Sequence, residues 1–302
     1  MPTRLTRFLM VVADDYGMGP NTSSGILDAA TVGSVTASVL LVNSACAESD
    51  VRRWRQRGCP MELGWHPNLT LDTPILPAEQ VPSLVGADGK FLPLKRFVRR
   101  WLRGGLVRDQ IAAELDAQLL RFAELVGHLP TLVNSHQHVA VFPPVGEVLL
   151  DVMQQRDCFP YVRRVREPWS ALWKVPGARI KRALLNLQGR RLAKVKGTGQ
   201  FPGNDWLAGI TDPKWVKDPK FFERWLQAVP GNMVELMCHP GYLDPTLLGR
   251  DCEVGDGLLE RSVDELHLLR RRSFQDAVAA AGFRLVTPSQ WTATRTRHVQ
   301  VA

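Results

Sequence analysis

The chain has 302 residues, of which 45% are hydrophobic, 23% charged and 8% aromatic. This is the composition of ordinary folded domains and excludes intrinsic disorder, collagen-like repetition and coiled coil. Thirty-eight basic against 30 acidic residues leave a net charge of +8, which favours an anionic partner where the excess is clustered.

In chain order, two arginines precede the short apolar run 8–13, as in a secretory signal, but the run ends in Asp14 and Asp15 and reads as a first buried strand. Further strand-length runs are expected at 36–42, 61–65, 131–134, 161–165, 233–238 and 283–286, with helices at 107–126, 145–155, 219–228 and 261–281. In the first of these helices Ile111, Leu115, Leu119, Phe122 and Val126 form an apolar stripe, with Arg108, Glu114 and Arg121 assigned elsewhere. Strands alternating with helices predict an α/β fold with a mostly parallel sheet. No internal repeat or linker divides the chain, so a single domain over 1–302 is expected, with an insertion at about 167–219 that shows no strand pattern. No stretch reaches the roughly 18 apolar residues of a spanning helix. Five cysteines without a C-x-x-C pair suggest a reducing, cytoplasmic setting.

Between 161 and 200 stand eleven basic residues against Glu167 alone. Ile180, Leu184 and Leu187 fall on one helical face there. The simpler expectation packs that face on the barrel; the alternative is an interfacial element at the inner face of an anionic membrane.

Four expected strands end in residues able to bind a metal or move a proton: Asp14 and Asp15, His66, His136 and His138, and His239. In parallel α/β folds these strand ends share one face, so the side chains should converge. His66 and His239 each precede a proline, which pushes them into extended geometry at a strand end. Gly17 offers the turn that would let both aspartates serve one site. Asp15, His66 and His136 make a common three-ligand set for one divalent metal, zinc or magnesium, with manganese, cobalt or nickel as alternatives. Asp14 is then free to take a proton from water and His239 to protonate a leaving group, a constellation for hydrolysis.

The segments VVADDYG, ELGWHPNLT, LVNSHQHVAVFPP and VELMCHPGY, in this order, resemble the four signature segments of the YdjC-like carbohydrate deacetylase family. The resemblance implies an irregular (β/α) barrel, polysaccharide-deacetylase-like in plan, and is weakest across the basic helical insertion that the residues of this chain suggest. It implies a metal-dependent hydrolase that removes acetyl groups from N-acetylglucosamine units, with Asp14 as base, His239 as acid and Asp15, His66 and His136 as ligands. Relatives often carry aspartate in place of Asn134, histidine in place of Ala140 and a bulkier residue in place of Pro67. One branch of the family is associated with hopanoid biosynthesis, and the basic insertion is similar in character to a protein acting on a glycolipid.

Around this set, His138 is expected on the same strand face as His136, as a substrate contact or a support for the ligands. Arg163 is expected to orient Asp14 or contact substrate, or else to belong to the basic patch, and Trp65 is the candidate sugar-stacking platform. The acetylated sugar is the expected partner, and a homo-oligomer is compatible with the sequence. Two rival readings are another metallohydrolase such as a phosphoesterase, and a non-catalytic protein binding anionic surfaces or nucleic acid.

Overall fold

The computed structural model describes residues 7–299, with side chains through 294. Eight strands form one sheet: β1 (Arg7–Tyr16), β2 (Ala37–Leu40), β3 (Glu62–Trp65), β4 (Leu132–Val133), β5 (Tyr161–Val162), β6 (Trp206–Ala208), β7 (Met233–Cys238) and β8 (Phe283–Leu285). Their order is β5-β4-β3-β2-β1-β7-β6, with β8 also joined to β1. Every pairing is parallel. The central strand β1 is buried from Leu9 to Tyr16, as its unbroken apolar run requires of a strand covered on both faces.

The two ends of the sheet are tied together without a ladder. Val162 N donates to Pro202 O at 2.8 Å and Leu207 N to Arg166 O at 2.8 Å. Between them the wholly buried Asn204 replaces a strand partner. Its Oδ1 accepts from Arg164 N at 2.7 Å, and its Nδ2 donates to Arg164 O at 2.8 Å. The sheet therefore curls into an irregular barrel.

β6 is a strand that the residue pattern of 167–219 does not announce, because it has only three residues and borrows its register from β7. The expected single helix at 261–281 is two, Leu258–Arg270 and Arg272–Ala280, separated by an extended Arg271 at φ −75°, ψ 141°. Helix Arg108–Val126 buries the expected stripe, but Glu114 is buried as well. A 3.6-residue period places position 114 beside 111 and 118, at the edge of the stripe. Glu114 accepts from Ile75 N and Leu76 N at 2.9 and 3.1 Å, and Gln118 pairs with Asn68 N and O at 3.0 and 2.7 Å. Together they pin the loop that follows β3.

The helix Arg179–Leu192 lies in the opposite sense to the packing expectation. It buries Arg182, Leu185, Asn186 and Gly189, while Ile180, Leu184 and Leu187 are 80%, 61% and 49% exposed. Arg182 sets this orientation: it is paired with Glu167, donates to the carbonyls of Val175, Gly177 and Ala171, and lies 4.7 Å over the Trp225 ring. A buried guanidinium with all these acceptors cannot rotate outward without stranding Glu167. Gly189 completes the fit, since a Cβ there would stand 1.8 Å from Val165 O. No helix among the described residues is long and apolar enough to cross a membrane.

Candidate active site

The C-terminal ends of the strands open on a cavity of about 190 Å³ lined by Asp14, Asp15, His66, His136, His138 and His239, among others. The five side chains expected to converge do so, although 225 positions separate the first from the last.

β1 delivers two consecutive aspartates through a bulge. Ala13 pairs with Ser38 and Tyr16 with Leu40, so β1 spends three steps against two on β2. Asp15 absorbs the extra residue in the left-handed region at φ +70°, and Gly17 follows at φ +85°. The turn thus begins at Asp15 itself, two residues before the expected glycine. Gly17 is still required there, because a Cβ would meet Leu40 Cδ1 at 2.9 Å.

The bulge gives the two carboxylates separate partners. Asp14 accepts from Arg163 Nη1 and Nη2 at 2.6 and 2.7 Å, and from Asn134 Nδ2 at 3.2 Å. Burial alone would raise the Asp14 carboxyl, but the Arg163 guanidinium outweighs it and holds the group below the usual carboxylate range. Arg163 also donates from Nε to Glu235 at 2.5 Å, and Glu235 accepts from Tyr161 Oη at 2.9 Å. Burial pushes the Glu235 carboxyl up in spite of Arg163. Arg163 is therefore turned inward and is no part of an exposed basic patch.

Asp15 has no such cation. Its Oδ1 lies 3.2 Å from His66 Nε2 and 3.0 Å from His136 Nδ1. His66 Nδ1 donates to Asn134 O at 2.8 Å, which leaves Nε2 with a free lone pair facing Asp15. Burial opposes charge on His136, but Asp15 and, behind it, Asp251 outweigh burial and raise the imidazole to about 10. Burial likewise works against the Asp15 charge, and His136 overcomes it, so the carboxyl sits well below its ordinary value. The Asp15 charge is thus balanced by a proton on His136, or by a cation in that proton's place.

The donor set fits such a cation. Candidate ligand atoms of Asp15, His66 and His136 all lie within 4.8 Å of one another. Ligands about 2.0–2.2 Å from a shared tetrahedral ion stand roughly 3.3 Å apart, close to the separations found here. His136 Nε2, on the far side of the ring, is buried with no hydrogen bond and lies 3.4 Å from Asp251 Oδ1.

His239 stands across the cavity, with Nε2 3.9 Å from Asp15 Oδ2. Arg261 Nη2 is 3.0 Å from His239 Nδ1, and because a guanidinium can only donate, the neutral ring carries its proton on Nε2. Burial and Arg261 together lower the His239 pKa. Glu265 locks the pair, accepting from His239 N at 2.5 Å and from Arg261 Nε at 2.7 Å.

His138 reaches the cavity by a route other than strand alternation. β4 ends at Val133, and Gln137 and His138 both adopt left-handed backbone at φ 49° and 57°. Burial, Arg163 and Lys181 hold the His138 imidazole well below its ordinary value, so it is neutral at pH 7. Trp65 is wholly buried in the core beneath the site and presents no ring face to the cavity. Glu235, Asp251, Arg261, Glu265 and Lys181 were not apparent as site residues from sequence reasoning. Glu235 alone carried a signal, as a charge inside an apolar strand.

A parallel α/β barrel with a buried carboxylate–imidazole cluster at its strand ends is the scaffold of a strand-end catalytic site. The sequence profile of the YdjC-like protein family matches residues 8–280, and the chain belongs to that family. It is 32% identical over 270 residues to a carbohydrate deacetylase of Mus musculus, across 86% of each chain. It is 28% identical over 295 residues to a chitooligosaccharide deacetylase of Klebsiella pneumoniae subsp. pneumoniae, across 94% of this chain and 98% of the other. A solved structure from Enterococcus faecalis V583, whose name ascribes to it cellobiose-phosphate cleavage, shares the fold at TM-score 0.72 and 21% identity, across 94% of this chain and 98% of that one.

Proposed function

We propose that this chain is a metal-dependent hydrolase that removes the N-acetyl group from an N-acetylglucosamine-type sugar, on an oligosaccharide or a glycolipid, and releases acetate. The observation that carries this reading is the division of labour between adjacent carboxylates. Asp14 is held as an anion by Arg163, and Asp15 faces two imidazoles. Membership of the YdjC-like family and the names of the mouse and Klebsiella relatives support the same chemistry.

Asp15, His66 and His136 would hold a divalent ion, which when bound supplies a Lewis acid to the amide carbonyl. Asp14, fixed by two guanidinium hydrogen bonds, accepts a proton as water adds to the carbonyl carbon. His239, whose Nε2 faces the site, gives a proton to the nitrogen as the C–N bond breaks, leaving acetate and the free amine. His138, neutral and with Nδ1 unpartnered, is placed to meet the sugar.

Acetate release from chitooligosaccharides and from acetylglucosaminyl lipids, with each candidate ion, tests the reading. Asp14→Asn and His239→Ala are expected to retain metal by elemental analysis yet lose most turnover, whereas His66→Ala is expected to lose metal. Parent-rate cleavage by Asp14→Asn, or no acetate from either substrate class, overturns it.

A further inference from the structure

We propose that the helix Arg179–Leu192 is a docking surface for an anionic phospholipid bilayer, placed so that the cavity opens beside the membrane surface. The inference rests on how the helix is oriented and stands apart from the chemistry proposed above.

On a helix wheel, positions 182, 185, 186 and 189 centre on one side and are the buried ones. Positions 180, 184, 187 and 191 lie diametrically opposite. The helix is therefore inverted relative to an ordinary surface helix: its charged Arg182 is 1% exposed, and its aliphatic stripe faces outward with Ile180 at 80%. Trp173 continues the stripe at 76% exposure, and its carbonyl is bonded by Arg179 Nη2 at 3.4 Å. An outward aliphatic and tryptophan stripe held in place by a buried ion pair is a surface that wants an apolar phase.

Charge names the occupant. Lys174, Arg179, Lys181, Arg191, Lys194 and Lys196 are all exposed on this helix and its flanks. No acidic residue occurs from 168 to 204. A basic rim around aliphatic side chains matches anionic headgroups above acyl chains, with the long Lys and Arg stems spanning the boundary. The surface is also continuous with the cavity, because Lys181, next to Ile180, lines it together with Asp14 and His239.

The test is co-sedimentation of the full chain with vesicles of phosphatidylcholine alone and of phosphatidylcholine mixed with phosphatidylglycerol. The chain is expected to pellet with the anionic vesicles only, and less as salt is raised. Ile180→Ser with Leu184→Ser and Leu187→Ser is expected to weaken this partition at least roughly tenfold while the melting temperature holds. Arg179→Glu with Arg191→Glu, an independent variant, is expected to abolish the preference for phosphatidylglycerol. Failure to pellet at low salt, or equal pelleting of the triple-serine variant, overturns the proposal. So does a dimer, in the absence of vesicles, that the serines dissociate, which would make a second copy the occupant. Stronger salt-sensitive binding to duplex DNA than to vesicles, unaffected by the serines, overturns it equally.

Discussion

Arg163 grips Asp14 with both terminal nitrogens, at 2.6 and 2.7 Å, and with its remaining Nε holds Glu235 at 2.5 Å. One buried cation thus serves two buried carboxylates from two strands. It leaves Asp14 anionic and aimed, which a base requires, and it leaves Asp15 free to face the imidazoles.

Replacing Arg163 by Met is expected to destabilise the fold by about 3–5 kcal/mol, because two buried carboxylates lose their cation. Arg163→Lys, which keeps the charge but not the fork, is expected to fold and to lose about 100-fold in acetate release. The Asp14 pKa is lowered in the folded protein, so its contribution to stability is present above the ordinary carboxylate pKa and is lost as pH falls below it. Without Arg163 the carboxyl rises, and the acid limb of the pH–rate profile should move to higher pH. Urea unfolding and the pH profile check these outcomes; an unshifted acid limb in Arg163→Met, read where that variant is still folded, would count against Asp14 as the base.

Metal affinity should climb with pH. With His136 raised to about 10, an ion must displace a proton at neutral pH. The association constant is therefore expected to rise roughly tenfold per unit between about pH 6 and 8. Titration calorimetry in buffers of different ionisation enthalpy reads the released proton directly, and a flat affinity over that interval contradicts the assignment of His136 to the ion.

Asn204 is expected to matter more to the fold than its place in a loop suggests. Asn204→Leu keeps the volume but removes both Asn204 hydrogen bonds to Arg164 N and O at the seam between β5 and β6, although Arg164 O keeps the bond from Arg166 N at 2.9 Å. The cost is about 1 kcal/mol for each of the two hydrogen bonds lost, so the urea midpoint should fall beyond that of an ordinary surface substitution.

Gly189→Ala pits helix propensity against packing. Alanine in a helix interior gains about 1 kcal/mol over glycine. Here its Cβ would stand 1.8 Å from Val165 O, a backbone atom of the barrel wall. Overpacking costs about 1–3 kcal/mol, so the net effect on thermal stability should be a loss; a gain would mean the helix sits further off the barrel.

The residue pattern by itself placed seven of the eight strands, to within three residues at their ends, and the chemical groups that stand at their exits. The run at 233–238 is β7 to the residue, and helix 145–155 has its expected bounds. This is legible because local side-chain period and flanking turn residues report a strand or helix wherever the core covers it on its expected face. Tertiary structure decided the rest. Three residues of β6 carry no period of their own and are strand only because β7 supplies a ladder. The outward turn of Ile180 depends on Glu167 reaching Arg182, and the burial of Glu114 depends on amides at Ile75 and Leu76. Asp251 and Arg261 join the site from segments whose sequence contains nothing to aim them there. In each case a polar group far along the chain satisfies a buried partner, and that long-range compensation, unlike hydrophobic period, leaves no trace in a local window.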